Sequence, residues 1–486
     1  MFLGIDVGTS SVKAVLIDDS DRLVAQGSAP LTVERPQPLW SEQDPDSWWR
    51  ATIAAVRALP EEERRAIKGI GLSGQMHGAT LLDSTDQPLR PAILWNDGRS
   101  EAECAELERL EPHSREITGN LAMPGFTAPK LLWIKHHEPD VFRRTHTVLL
   151  PKDYVRLKLT GEKVGDMSDA AGTLWLDVGA RDWSDAMLRA TDLNRSHMPR
   201  LVEGNAPSGK LTAAAAEQLG VPSVVVAGGG GDNAASAVGL GVVSPGQAFL
   251  SLGTSGVLFV VTDRFRPNPA KAAHAFCHCL PGLWHQMSVM LTAAAGLDWV
   301  TQLTGFKHVV EAVAAAEAQG LRPQTPIYLP YLSGERTPHN DPSARGVFFG
   351  LTPETNGADL VYSVLEGVAL GFADGKDALV ENGGKIGDIS MTGGGARLPY
   401  WGRLLASALD QPLTYREGGE VGAAFGAARL GRLAVTGENP DKVCVTPPVT
   451  RIVTPDALLK EQLAPRRAIF VSLYQNLKKS FRELSK

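Results

Sequence analysis

The sequence lacks the features that mark membrane, secreted and disulfide-stabilised proteins. No run approaches the roughly 18 consecutive apolar residues of a membrane-spanning helix, and residues 1–6 have neither a basic start nor a cleavable apolar core. The four cysteines among 486 residues, Cys104, Cys277, Cys279 and Cys444, are too few and too scattered for a disulfide framework. We therefore expect free thiols in a soluble, cytoplasmic protein.

An excess of charge of one sign is also missing. There are 48 Lys and Arg against 54 Asp and Glu, a net charge of −6, and no basic block. Because nucleic acids and anionic membranes attract basic surfaces, neither is expected as a partner. Hydrophobic residues make up 43% and charged residues 21%, which argues against extensive disorder. At about 150 residues per domain, the length predicts two or three domains.

Glycine, in contrast, is abundant, and two of its clusters belong to a repeated hairpin pattern. Apolar strands at 2–7 and 12–17 flank the first turn, Gly8-Thr9-Ser10, and the pattern recurs 245 positions later at Gly253-Thr254-Ser255. Each copy opens a segment of alternating strand and helix patterns, which indicates α/β domains. We predict two similar lobes, 1–244 and 245–486, with a ligand cleft between them and a closing helix from about Leu458.

The two Gly-Thr-Ser turns are candidate phosphate sites. Such a turn presents backbone N–H groups and two hydroxyls to one point, although a plain hairpin turn is the alternative for either copy. Asp6 stands before the first turn, where the second has Ser251. Phosphate beside a carboxylate is repelled unless a cation lies between them, so we infer Mg²⁺ held by Asp6, directly or through water. A turn-capping role for Asp6 is the alternative.

A third glycine cluster, residues 228–231, follows an apolar strand and precedes Asp232 at a predicted helix start. Asp232 could be a general base that accepts the proton of an attacking hydroxyl, or simply a helix N-cap. The run alone leaves both readings open. Neither the Walker A spacing nor the dinucleotide-binding glycine spacing is present.

Two polar loops and one further glycine turn complete the candidate site. The loops follow apolar strands and carry side chains that can bind several hydroxyls, as a polyol site requires, although a structural role is the alternative for a lone histidine. The turn at 393–395 would suit close approach of adenosine, or be a simple tight turn. The Cys and His residues at 274–279 lack the spacing of a zinc site. The loop candidates are Gln75, Met76, His77, Trp95, Asp97, Arg99 and Asn233.

These motifs together resemble those of the FGGY carbohydrate kinases, a branch of the sugar kinase, heat-shock chaperone and actin superfamily. The resemblance covers essentially the whole chain and implies an α/β fold of two actin-like, ribonuclease H-like lobes with a cleft between them. It is carried by residues 6–10, 125–133, 228–233, 252–256, 346–351, 363–367 and 392–397.

The resemblance also implies an activity, transfer of the γ-phosphoryl group of ATP to a sugar hydroxyl with Mg²⁺. Residues 73–79, 94–99, 123–130 and 333–339 are most similar to the branch that phosphorylates the ketose D-xylulose at its terminal hydroxyl. Relatives of this kind are often homodimers, although nothing in the sequence shows a dimer surface.

Residue roles follow from the same resemblance. Asp232 matches the general base, Asp6 the carboxylate that organises metal and phosphates, and Met76 and His77 the sugar-binding pair, with Asn233 adjacent. The first lobe would hold most of the sugar and the second most of the nucleotide. The candidate nucleotide-binding residues are Gly8, Thr9, Ser10, Gly253, Thr254, Ser255, Gly393, Gly394 and Gly395.

Two alternatives remain open. The first keeps the chemistry and changes the acceptor to ribulose, fuculose, gluconate, rhamnulose or glycerol. The second is a nucleotide-driven interaction protein of the chaperone or actin type, which would use the paired turns as a conformational switch. Asp232 beside a small-acceptor pocket favours a kinase over a switch.

Overall fold

The computed structural model describes residues 1–417 and 422–484. Within these ranges, no helix has the length and apolarity needed to cross a bilayer. All four cysteines are buried free thiols, as the sequence predicts.

The strands, in chain order, are β1 (Phe2–Val7), β2 (Ser11–Ile17), β3 (Leu23–Pro30), β4 (Glu42–Gln43), β5 (Gly69–Gly74), β6 (Thr80–Leu82), β7 (Ala92–Ile93), β8 (Thr147–Leu149), β9 (Val164–Asp166), β10 (Leu176–Asp177), β11 (Asp182–Trp183), β12 (Arg200–Val202), β13 (Pro207–Lys210), β14 (Val225–Ala227), β15 (Gly230–Gly231), β16 (Ala248–Leu252), β17 (Gly256–Thr262), β18 (His274–Cys277), β19 (Trp284–Met290), β20 (Ile327–Leu329), β21 (Val347–Phe349), β22 (Ile389–Thr392), β23 (Leu413–Arg416) and β24 (Val449–Val453).

The α-helices are α1 (Pro45–Arg57), α2 (Glu61–Arg65), α3 (Glu101–Leu110), α4 (Ser114–Thr118), α5 (Thr127–His137), α6 (Pro139–Arg144), α7 (Pro151–Thr160), α8 (Met167–Ala171), α9 (Asp185–Ala190), α10 (Ala213–Leu219), α11 (Asp232–Leu240), α12 (Ala294–Leu303), α13 (Val309–Gln319), α14 (Gly357–Val380), α15 (Pro399–Leu409), α16 (Gly422–Thr436), α17 (Pro440–Val443) and α18 (Ala457–Leu484).

Two seven-stranded sheets repeat one arrangement. The first runs β13-β14-β5-β1-β2-β3, with β15 also paired to β5, and the second runs β18-β19-β17-β16-β22-β23-β24. In the first sheet, β1 pairs antiparallel with β2 and parallel with β5. In the second, β16 pairs antiparallel with β17 and parallel with β22. The hairpin repeat predicted from the sequence is thereby confirmed, since each hairpin forms the centre of its own sheet.

Helix α16 lies across the first sheet although it comes from the second half of the chain. Glycines allow this approach, because a Cβ atom on Gly4 of β1 would lie 1.8 Å from the Ala424 carbonyl oxygen. A Cβ atom on Gly426 would lie equally close, 1.8 Å, to the Ala235 carbonyl oxygen of α11. Backbone contact on both sides of α16 therefore fixes α11 relative to β1.

The two halves of the chain each supply the strands of one sheet, whereas helix α16 from the second half packs on the first sheet. The last strand of the first sheet ends at Gly231 and the second sheet begins at Ala248, and we propose 1–244 and 245–486 as the segments that build the two sheets. The helix expected from about Leu458 is present as α18. Its Phe470 and Tyr474 are buried in one cluster with Leu329 of β20, so this helix packs back on the second half.

Candidate active site

Strand pairing brings the two predicted catalytic carboxylates to one edge of the first sheet. Asp6 lies opposite Ser73 of β5, and Gly230 lies opposite the same Ser73 on the other side. Neighbouring strands are about 4.8 Å apart, so Asp6 and the start of α11 flank a single strand. Asp232 is the first residue of that helix, directly after β15.

Burial and mutual repulsion set the ionisation of this pair. Burial, with a further contribution from the charge of Asp6, raises the pKa of Asp232 to about 7. The backbone N–H and side-chain amide of Asn233 donate to Asp232 Oδ1 at 2.7 and 2.9 Å, which limits the rise. Asp232 is therefore a carboxylate whose proton affinity suits a general base near neutral pH.

Asp6 has the character of a cation ligand. Burial raises its pKa, and Asp6 Oδ1 has no hydrogen-bond partner within the described ranges. Asp6 lines a cavity of about 440 Å³ together with Lys13, its antiparallel partner on β2. Lys13 was missed in the sequence, although the hairpin register alone places it beside Asp6. An unsatisfied carboxylate oxygen in a polar cavity fits the hard, oxygen-seeking Mg²⁺ ion.

Met76, one of the predicted sugar-binding pair, lies against Gly231, the residue before Asp232, and His77 packs against Gly172. A Cβ atom on Gly231 would lie 2.8 Å from Met76 Sδ, and one on Gly172 would lie 2.6 Å from the His77 ring. His77 Nδ1 lies 2.6 Å from the Gly172 carbonyl oxygen, and burial lowers the pKa of His77 to about 3. The neutral ring therefore donates through Nδ1, which leaves Nε2 as an acceptor for a hydroxyl.

The backbone and ring of His77 are fixed by residues that were not predicted individually as site residues. Its backbone has a φ of 70°, in the left-handed region. Lys130 Nζ donates to the carbonyl oxygens of His77 and Gly125 at 2.9 and 2.8 Å, and Phe126 makes an edge-on ring contact with His77 at 4.9 Å. Burial lowers the pKa of Lys130 to about 7. Both residues lie in the segment 123–130, and the family motif in that segment could have identified them from the sequence.

Gln75 and Trp95 connect the polar loops to the first Gly-Thr-Ser turn. The Thr9 hydroxyl donates to Gln75 Oε1 at 3.0 Å and accepts from Trp95 Nε1 at 2.9 Å. Gln43, a further residue missed in the sequence, donates to the Thr9 carbonyl oxygen at 2.7 Å and accepts from Gln75 at 2.9 Å. The turn and the loops are thus one hydrogen-bonded unit.

Asp97 and Arg99 contact protein groups rather than an open pocket. The Arg99 guanidinium pairs with Asp97 at 2.7 Å and with Glu42 at 2.7 Å. It also lies 3.6 Å from the centre of the Trp40 ring, and Asp97 Oδ2 accepts from the Ser41 N–H at 2.6 Å. Both side chains are almost completely buried, so we do not propose Asp97 and Arg99 as sugar ligands.

The second turn and the Gly393–395 segment lie together in the other sheet. The Gly253 carbonyl oxygen accepts from the Ala294 N–H at 2.8 Å, which ties the turn to the start of α12. Gly393 has a φ of 87°, and a Cβ atom there would lie 2.8 Å from the backbone of Leu252. A Cβ atom on Gly394 would meet nothing within 4 Å, so this turn presents open backbone beside Gly253, Thr254 and Ser255.

Comparison with known proteins agrees with these features. The chain matches the model of the FGGY family of carbohydrate kinases, N-terminal domain, over residues 1–239, and that of the C-terminal domain over residues 248–435. It is 52% identical over 482 residues to the xylulose kinase of Escherichia coli strain K12, with 98% of this chain and 99% of that protein covered.

Two solved structures are similar over nearly their whole length. A crystal structure of a xyloylose kinase from Brucella ovis is 49% identical, with a TM-score of 0.94 and coverage of 98% of this chain and 99% of that one. The xylulose kinase of Rhodospirillum rubrum is 29% identical, with a TM-score of 0.91 and 99% coverage of both chains.

Proposed function

The chain belongs to the FGGY family of carbohydrate kinases, whose two-domain α/β fold it shares, and we propose that it transfers the γ-phosphoryl group of ATP to the terminal hydroxyl of D-xylulose. The product would be D-xylulose 5-phosphate. The observation that carries this proposal is the 52% identity to a xylulose kinase over 98% of the chain.

Asp232 is the proposed general base. It lies beside Met76 and carries a pKa raised to about 7, so near neutral pH it can accept the proton of the attacking hydroxyl. Asn233 holds Asp232 Oδ1 through two hydrogen bonds, which leaves Oδ2 for the substrate. Such proton transfer contributes about 10²–10⁴-fold to a rate.

Met76 and His77 are the proposed sugar ligands. The thioether packs on Gly231 and limits the space in front of Asp232, while His77 Nε2 accepts from a hydroxyl. Gln75 and Trp95 act through Thr9, since they fix the phosphate turn relative to the sugar loops. Alignment of the hydroxyl with the phosphoryl group is the main task in such a reaction.

Asp6 is the proposed Mg²⁺ ligand, directly or through water. Its unpartnered Oδ1 and the adjacent cavity support this role. When bound, the ion would neutralise charge on the ATP phosphates. The turns at 8–10, 253–255 and 393–395 are the proposed contacts of the nucleotide, with their backbone N–H groups available for phosphate oxygens.

A substrate panel tests this function. ADP release is measured with D-xylulose, D-ribulose, L-fuculose, L-rhamnulose, gluconate and glycerol, and without any acceptor. We expect the highest kcat/KM with D-xylulose and little ADP release without acceptor. Stimulation by glycerol or gluconate but not by D-xylulose would contradict the proposed substrate, and acceptor-independent ATP hydrolysis would favour a nucleotide switch.

A further inference from the structure

Arg336 lies in a second-half segment that is fixed against the end of β19. The Thr337 N–H donates to the Val289 carbonyl oxygen at 3.1 Å, and the Val289 N–H donates to Thr337 Oγ1 at 3.0 Å. The Thr337 hydroxyl donates in turn to the Ala272 carbonyl oxygen at 2.9 Å. On the other side, Glu335 Oε1 accepts the N–H of the residue that follows β19 at 3.0 Å. The backbone of Arg336 is thus held from both directions.

The guanidinium of Arg336 lacks a partner among the residues that the structure describes. Across residues 1–417 and 422–484, it makes no hydrogen bond and no ion pair. Burial raises the pKa of the neighbouring Glu335 to about 8, against the opposing effect of the Arg336 charge, and burial also lowers the pKa of Arg336, although the charge of Glu335 opposes this shift. A partly buried cation without a partner is costly, and a bound ligand that accepts from it would reduce that cost.

The surroundings of Arg336 are the sugar-binding residues of the first half. Burial lowers the pKa of both His77 and His274, and the positive charge of Arg336 lowers both further. Those two histidines both make edge-on contacts with one ring, with His77 at 4.9 Å and His274 at 5.5 Å from the centre of Phe126. His274 begins β18, two residues after the carbonyl that binds Thr337. The hydrogen bond of Thr337 therefore holds Arg336 near β18 and the two histidines, and the electrostatic effect of Arg336 on both rings agrees with that position.

Arg336 and Asp232 influence different parts of that pocket. Besides burial, Asp6 and Asn233 shift the pKa of Asp232. Arg336 instead contributes to the pKa shifts of the two histidines. A linear sugar whose terminal hydroxyl is at Asp232 would direct its other end toward His77. In a ketose, that other end carries the carbonyl group, which only accepts hydrogen bonds, and a guanidinium only donates them.

We propose that Arg336 is a specificity-determining residue that donates from its guanidinium to the C2 carbonyl oxygen of the ketose. This inference rests on the proposed function, because it requires a ketose with its terminal hydroxyl at Asp232. It assigns recognition of the non-reacting end of the sugar to the second half of the chain. The first half supplies the base, Met76 and His77.

The test compares Arg336→Gln and Arg336→Lys with the wild-type enzyme. For Arg336→Gln we expect KM for D-xylulose to rise by about 10–100-fold, the loss typical of a hydrogen bond to a charged group, while KM for ATP stays within about twofold of the wild-type value. Arg336→Lys should recover part of the loss. Inhibition by xylitol, which has a hydroxyl in place of the carbonyl, should weaken less than D-xylulose binding.

Controls separate recognition from folding. Arg264→Gln removes an exposed guanidinium that pairs with the neighbouring Asp263 at 3.3 Å, and should leave both KM values unchanged. Thermal unfolding of each variant shows whether the fold is intact. An unchanged KM for D-xylulose in Arg336→Gln, a loss confined to kcat, or equal losses for D-xylulose and xylitol would each overturn the assignment. A wild-type enzyme without activity on D-xylulose would instead overturn the proposed function.

Discussion

Replacement of Asp232 by asparagine should slow the reaction and stabilise the fold at the same time. The change removes the proposed base, so kcat should fall by about 10²–10⁴-fold with little change in nucleotide binding. It also removes a carboxylate whose pKa is raised from 3.8 to about 7. A raised pKa means that ionisation of Asp232 opposes folding.

The size and pH range of the stabilisation follow from that pKa. The folded chain binds the Asp232 proton more tightly than the unfolded chain, so wild-type stability falls as the pH rises from about 4 to about 7. The full difference corresponds to at most about 4 kcal/mol at pH above about 7, since one pKa unit is worth about 1.4 kcal/mol. Asp232→Asn avoids this loss and should melt several degrees higher at about pH 8, with the difference vanishing at about pH 4.

Two measurements check this reasoning. Differential scanning calorimetry of both proteins across this pH range gives the difference in Tm, and initial rates of the wild-type enzyme give the pH profile of kcat/KM. The profile should fall by about tenfold per unit below about pH 7, because the base must be deprotonated. A Tm difference independent of pH, or a flat profile between about pH 5 and pH 8, would refute the account of Asp232.

Three further variants test the other assignments. Asp6→Asn should lose most of the Mg²⁺-dependent activity and raise the half-saturating Mg²⁺ concentration, because Asp6 is the proposed ligand; an unchanged half-saturating Mg²⁺ concentration in rate assays would count against it. Gly231→Ala places a Cβ atom 2.8 Å from Met76 Sδ and should raise KM for D-xylulose more than KM for ATP, which steady-state kinetics would show. Asp97→Asn removes one of the two carboxylates that pair with the buried Arg99 cation, the other being Glu42, and should lower stability by about 1.5–3 kcal/mol, the worth of a hydrogen bond to a charged group; calorimetry showing an unchanged Tm would contradict this structural role.

Local patterns in the sequence were sufficient to predict the repeated hairpins and the start of α11. Strand, glycine turn and strand are adjacent in the chain, so the hairpins at Gly8 and Gly253 needed no long-range information. The position of Asp232 at a helix start was readable for the same reason. The proximity of Asp6 and Asp232 has no local signal in the sequence, since 226 positions separate them; the family resemblance implied only their separate roles.

What could not be predicted depends on side-chain partners distant in the chain. Arg99 looks available for a sugar until Glu42 and Trp40 are brought against it. Arg336 shows the opposite case, because only the described surroundings reveal that its guanidinium has no partner within residues 1–417 and 422–484. A division of the sequence into two halves also does not predict that α16, from the second half, packs on the first sheet. That packing depends on close backbone contact at Gly4.

The chemical identity of the product tests the central claim most directly. Wild-type protein is incubated with ATP, Mg²⁺ and D-xylulose, and phosphorus and carbon NMR identify the phosphorylated position while ADP is measured in parallel. The account predicts D-xylulose 5-phosphate in one-to-one ratio with ADP. Inorganic phosphate in place of a sugar phosphate, or a phosphoryl group on the C1 hydroxyl, would contradict it.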